Sequence, residues 1–165
     1  FLTGGLFLCV GVIYNRLHSR QISDMGGIAK PMPRYAFFFG IMMFGSVGLP
    51  GLSGFIGEFL TMLGAFRADW VVGTITSFVV ILAAWYLLWM FQRVLFTKTK
   101  PAVSRFKDLD GIEQGSLIVL SALAIIVGVY PGPLLDFLHS SSQHLLITVS
   151  AQVPSIVGWT QLFFR

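Results

Sequence analysis

Charge is segregated along this chain in a way that leaves few possible folds. From Tyr35 to Phe66 the only formal charge is Glu58, and Phe1–Asn15, Trp70–Gln92 and Gln114–Tyr130 carry none. About 20 apolar helical residues cross the ~30 Å hydrocarbon core of a bilayer, so each longer run is a candidate span. Only 11% of the chain is charged, against about a quarter in soluble domains, and the mean hydropathy is +0.81. So few charges cannot cover a water-facing surface, which excludes a soluble enzyme. The net charge of +4 comes from loop lysines and arginines, a membrane-face pattern rather than a nucleic-acid patch. Cys9 is the single cysteine, so neither an internal disulfide nor a cysteine-built cluster is available.

The runs organise the chain as an all-α polytopic membrane protein with about four transmembrane helices. Phe1–Asn15 is only about 22 Å long as a helix and reads as the last part of a longer one. No basic region precedes it and no small-residue cleavage site follows, so it does not read as a signal peptide. Because the chain starts at Phe1 inside an apolar run, it reads as a fragment or a processed product. Arg16–Arg34 is a basic loop with turn chemistry at Gly26-Gly27 and Pro31-Met32-Pro33. Arg93–Glu113 is a second basic loop. Trp85, Tyr86 and Trp89 stand towards the end of the Trp70–Gln92 span, where an aromatic belt belongs. Pro131-Gly132-Pro133 stops the last clear span. The transmembrane part is thus 1–133, and 134–165 is an amphipathic tail on the outer face: Leu134–His139, then an apolar stretch near Leu145–Val149, with Pro154 beyond.

Tyr35–Phe66 is too long for one straight crossing, at about 48 Å. It also contains Gly48-Leu49-Pro50-Gly51. Pro50 lacks a donor and its ring meets the carbonyl of Ser46, while the glycines lower helix propensity, so the helix breaks between about Val47 and Ser53. One interrupted crossing puts both basic loops on one face and the nearly neutral Arg67–Asp69 turn on the other. A re-entrant pair of half-helices would split the loops between faces. The positive-inside rule selects the interrupted crossing, with the basic loops facing the cytoplasm or mitochondrial matrix.

Glu58 carries the chemistry. An acid at a helix centre costs roughly 2.5–3.5 kcal/mol on insertion scales, and such residues mark ion or proton pathways. It lies beside a helix break, where discontinuous helices admit water and expose backbone dipoles. The bland alternative is a neutral carboxyl that holds neighbouring helices together. Glycines recur at 45, 48, 51, 54 and 57, a spacing that drifts around a helix and so makes no single dimerisation stripe. Gly48, Pro50, Gly51 and Gly54 mark the break, with Ser53 and Thr61 as candidate water or proton contacts. No phosphate-loop ending follows the glycines, so nucleotide binding is rejected. His18 reads as a solvated loop residue. Asp136 and His139 share a helix face while His144 falls on another, and two ligands do not make a metal site. No metal is expected.

Three stretches carry a resemblance: Leu6-Phe7-Leu8-Cys9-Val10-Gly11-Val12-Ile13-Tyr14-Asn15-Arg16-Leu17-His18-Ser19-Arg20, then Met25-Gly26-Gly27, then Gly48-Leu49-Pro50-Gly51-Leu52-Ser53-Gly54-Phe55-Ile56-Gly57-Glu58-Phe59. Together with Gly128-Val129-Tyr130-Pro131-Gly132-Pro133-Leu134-Leu135-Asp136, they resemble the chain 4 family of mitochondrial NADH–ubiquinone oxidoreductase, whose bacterial counterpart is subunit M. The resemblance covers essentially the whole chain. It implies an antiporter-like, proton-translocating subunit in the membrane arm of respiratory complex I, of which this chain matches the final helices. Glu58 then corresponds to the terminal proton-path residue, where sister subunits and cation antiporters typically have lysine. The family's glutamate–lysine pair and central lysine lie on earlier helices, so a chain carrying those helices, other membrane-arm subunits and lipids are the implied partners. A split mitochondrial gene is one way to supply that chain. No cofactor is expected here. NADH, FMN, iron–sulfur clusters and ubiquinone would be bound by other subunits, in a mitochondrial inner or bacterial plasma membrane. The competing readings are a subunit of a related sodium/proton antiporter and a purely structural membrane-arm piece.

Overall fold

The computed structural model describes residues 1–138, and the structural statements that follow concern these; His139, His144, Leu145–Val149 and Pro154 lie outside them. Five helices are present: α1 (Leu2–Leu17), α2 (Pro33–Ser46), α3 (Ser53–Ala68), α4 (Trp70–Leu95) and α5 (Gly111–Val129). Residues 132–138 form a further short helical stretch. No strand occurs among the described residues.

Most of the boundaries have a cause in the adjacent sequence, and one is set from a distance. His18 ends α1 in the left-handed conformation at φ 56°, donating its N–H to the Tyr14 carbonyl at 2.8 Å. Pro33 occupies the first turn of α2, where a missing N–H costs nothing. The residue before that helix, Met32, has no side-chain acceptor. Asp108 takes over the task from the other basic loop, accepting from the amides of Arg34 at 3.0 Å and Tyr35 at 3.2 Å. Asp69 caps α4 by accepting from the Val71 amide at 2.6 Å. α4 has 26 residues, hence about 39 Å of helix. It and α5 are each long and apolar enough to cross a membrane, with mean hydropathies of 2.2 and 2.0.

The Tyr35–Phe66 segment is interrupted where its sequence demands it. α2 ends at Ser46 and α3 begins at Ser53. Gly48 adopts φ 82°, its amide donates to Gly45 O at 3.2 Å, and the Leu49 amide reaches back to Phe44 O at 3.0 Å. This pair of bonds is a Schellman ending with glycine in its left-handed position. A β-turn follows at once: Leu52 N donates to Leu49 O at 3.1 Å, with Pro50 and Gly51 between them and Gly51 at φ 93°. Proline then glycine at positive φ is the type II pattern.

The two basic loops lie on one face because they bond to each other. The amides of Ile28 and Ala29 donate to the carbonyls of Val94 and Leu95, each at 3.3 Å. Thr99 donates to Gly27 O at 3.3 Å, and the Lys100 ammonium to Ser23 O. Arg16 Nη2 meets Glu113 Oε2 at 2.7 Å, while its Nε donates to Lys107 O at 3.0 Å. Asp69 and these loops stand at opposite ends of α4, so α2 and α3 make one interrupted crossing. The re-entrant alternative fails on that geometry. The apolar core lies at the loop end: Ile28, Met32 and Val103 from the loops are fully buried with Cys9, Tyr35 and Leu117. Phe91 of α4 closes it, its ring 5.7 Å from that of Phe39 and 5.5 Å from that of Phe44. Cys9 points into this core rather than outward, and its carbonyl accepts from the Tyr35 hydroxyl at 3.3 Å.

A candidate proton site beside the helix break

Glu58 lies in the second turn of α3, after the break. Its carboxyl reaches back to α2's ending. A Cβ placed on Gly48 would overlap Glu58 Oε2 and stand 3.0 Å from Cδ, so the side chain fills the space that glycine leaves empty. The carboxyl receives no hydrogen bond or ion pair from the described residues. The amides of Val47, Gly48 and Leu49 are already engaged with carbonyls of α2.

The other face of Glu58 lines a cleft of about 370 Å³ with Ser53, Gly54, Gly57 and Thr61 of α3 and Thr76 and Val80 of α4. Ser53, Glu58 and Thr61 were expected at the site from sequence, and the cleft brings all three together. Thr76 was missed. Its hydroxyl donates to Val72 O at 2.8 Å, and that of Thr61 to Gly57 O at 2.7 Å. Each hydroxyl thus spends its proton on its own helix and keeps lone pairs for an outside donor. The start of α3 has no side-chain cap, because Leu52 offers no acceptor. Of the first three amides of that helix, that of Phe55 donates to Leu52 O at 3.1 Å, which leaves those of Ser53 and Gly54 as partners for water.

The break residues divide the remaining work. Gly48, Pro50 and Gly51 make the turn. Gly54 instead lets α3 approach α2, since a Cβ there would strike the Gly45 carbonyl. On the other side Gly128 brings α5 onto the turn, where a Cβ would strike the backbone of Gly51 and Leu52. The break is therefore clamped by backbone contacts on two sides. His18 is exposed and stacks on Tyr14, with ring centroids 6.1 Å apart. No group of three or more His, Cys, Asp or Glu side chains able to hold a metal ion occurs among the described residues.

Residues 1–84 match the family described as "NADH:quinone oxidoreductase/Mrp antiporter, TM". The chain belongs to this family. It is 40% identical to NADH-quinone oxidoreductase subunit M of Rhodobacter capsulatus over 161 residues, which is 97% of this chain and 31% of that protein. It is 38% identical to NADH-ubiquinone oxidoreductase chain 4 of Arabidopsis thaliana over 146 residues, 88% of this chain and 30% of that one. Among solved structures, a chain of respiratory complex I from Thermus thermophilus with bound NADH superposes with a TM-score of 0.72 at 39% identity. That match covers 79% of this chain and 27% of the other. The chain thus spans about three-tenths of the length of these antiporter-family relatives. The interrupted pair α2 and α3 lies wholly within the residues that match the family.

Proposed function

We propose that this chain is the C-terminal portion of a subunit M/chain 4-type protein and that it serves proton translocation in a respiratory NADH:quinone oxidoreductase. Glu58 takes up and releases the proton near mid-membrane. Ser53, Thr61 and Thr76 hold the water that connects it to the outer half of the path. The observation that carries this reading is the placement of the one charged residue of the apolar runs. It sits beside a helix break, in a largely apolar cleft whose few polar groups are the carboxyl itself, Ser53, Thr61 and Thr76. An intramembrane acid so placed is a pathway residue by default, and broken helices are where membrane transporters admit polar groups.

The other parts of the reading follow from it. The remaining proton path comes from a chain carrying the earlier helices. Redox cofactors and quinone belong to other subunits of the assembly. The membrane is the mitochondrial inner or the bacterial plasma membrane, with the basic loops towards matrix or cytoplasm. Two rivals have specific support. The family description includes Mrp antiporters, which favours sodium/proton exchange, and the contact of Glu58 with Gly48 favours a packing role.

Glu58→Gln separates these readings. It preserves size and removes the exchangeable proton. In membranes with verified assembly, coupled NADH oxidation and proton pumping should fall together, by up to roughly a hundredfold. Glu58→Asp, with its shorter reach, should give a partial defect. Pumping at the parental rate in the glutamine variant would leave Glu58 a packing residue. A sodium-dependent proton flux that is lost without any change in NADH oxidation would favour the antiporter.

A further inference from the structure

We infer that Gly48 is a positioning residue for Glu58, its bare Cα face being the seat that holds the carboxyl at the helix break. The inference rests on the reading of Glu58 as the proton carrier. Two glycines in the break adopt positive φ, Gly48 at 82° and Gly51 at 93°, so backbone conformation alone asks for glycine at both. Their surroundings differ. A Cβ on Gly51 meets no atom within 4 Å, whereas one on Gly48 lands on the Glu58 carboxyl. Glycine at 48 therefore answers two demands, and the second concerns the side chain ten positions on.

The seat holds by shape rather than by hydrogen bonds. The amides of Val47, Gly48 and Leu49 donate to Met43, Gly45 and Phe44 carbonyls at 3.0–3.2 Å and are not available to the carboxyl. A carboxyl kept in place by contact alone leaves without breaking a strong bond. The open side of the same residue is the cleft with Ser53, Thr61 and Thr76. Filling the seat displaces the carboxyl towards that cleft, and displacement by about 1 Å is enough to cost one to two orders of magnitude in a positioned transfer.

The test compares Gly48→Ala with Gly51→Ala in the assembled complex in membranes. One readout is the rate at which a membrane-soluble carbodiimide labels Glu58, followed by mass spectrometry of its peptide. The other is protons pumped per NADH oxidised. Both variants carry the same left-handed strain. Gly48→Ala should label Glu58 several-fold faster than the parent and pump less, while Gly51→Ala labels it at the parental rate. Gly48→Ala/Glu58→Asp, in which one methylene is removed to make room for the new Cβ, should recover part of the pumping. Equal labelling in the two alanine variants overturns the seat. If Gly48→Ala does not assemble, Gly48→Ala/Glu58→Ala decides: restored assembly supports the seat, and continued failure assigns Gly48 to backbone conformation alone. Should Glu58→Gln pump normally, the reading of Glu58 fails whatever Gly48 does. Should Glu58→Gln abolish pumping while the two alanine variants label alike, only the seat fails.

Discussion

The glycines at 45, 48, 51, 54 and 57 look like one motif in sequence and act as separate devices in space. Gly48 and Gly51 turn the chain, Gly45 makes room for the Leu2 side chain of α1, Gly54 lets α3 touch the backbone of α2, and Gly57 faces open space on the cleft. Their substitution should therefore sort by position. Gly54→Ala forces α3 off the Gly45 carbonyl and should destabilise the assembled subunit by about 1–3 kcal/mol, the usual range for overpacking. Gly57→Ala meets nothing and should be neutral or gain up to about 1 kcal/mol of helix propensity. Thermal inactivation of the detergent-solubilised complex measures both, and equal effects at 54 and 57 would contradict the assignment. Glu58, Ser53 and Thr61 were legible in the sequence, because polar atoms are conspicuous in an apolar run. Thr76 was not: a threonine that bonds its own helix is common in any span, and only packing shows which face it occupies. The contact between Glu58 and Gly48 was hidden for another reason. It crosses a turn of two positive-φ residues, so no helical period relates the two positions.

At the scale of elements, length and punctuation carried the prediction. Excess length in Tyr35–Phe66 required a break, glycine followed by proline located it, and charge counting chose one crossing over a re-entrant loop. The structure places the break at the expected residues. What charge counting could not show is that the loops are themselves a packed layer, with Ile28, Met32 and Val103 buried in it. Nor could it pair Asp108 with α2, since a capping acceptor supplied from a distant loop leaves no local signature. Asp108→Ala removes the acceptor shared by the Arg34 and Tyr35 amides. It should cost about 1–2 kcal/mol, in line with lost helix caps. Hydrogen exchange checks this: those two amides should exchange faster than in the parent, with the Val71 amide at the Asp69 cap unchanged. Protection at Arg34 and Tyr35 that survives the substitution would mean that other acceptors hold the start of α2.

For the whole molecule, the membrane-facing surfaces and the loop layer make separate predictions. Cysteines placed at the exposed Lys30 and Lys98 should react with an impermeant maleimide from the same side of sealed vesicles, and one at Arg67 from the other. Cys9, buried in the core, stays silent. Reaction at 30 and 98 from opposite sides would overturn the single interrupted crossing. Phe7 of α1 is 74% exposed and Trp85 of α4 69%, apolar surface suited to lipid or further helices. On our proposal, mild-detergent extraction should bring down the chain with a polypeptide bearing the earlier helices, and purification as a stable monomer would count against it. The arrangement of the loop layer also bears on how such a chain is made. The acceptor for the first bonded amide of α2 lies 74 residues downstream, and the carboxylate that meets Arg16 lies 97 residues downstream of it. During synthesis the Arg34 amide and Arg16 wait in the water at the membrane surface until two more crossings have left the translocation machinery. The loop layer therefore closes in two stages: a nascent chain halted before Asp108 could already join Ile28 and Ala29 to Val94 and Leu95, but would lack both the cap on α2 and the partner of Arg16.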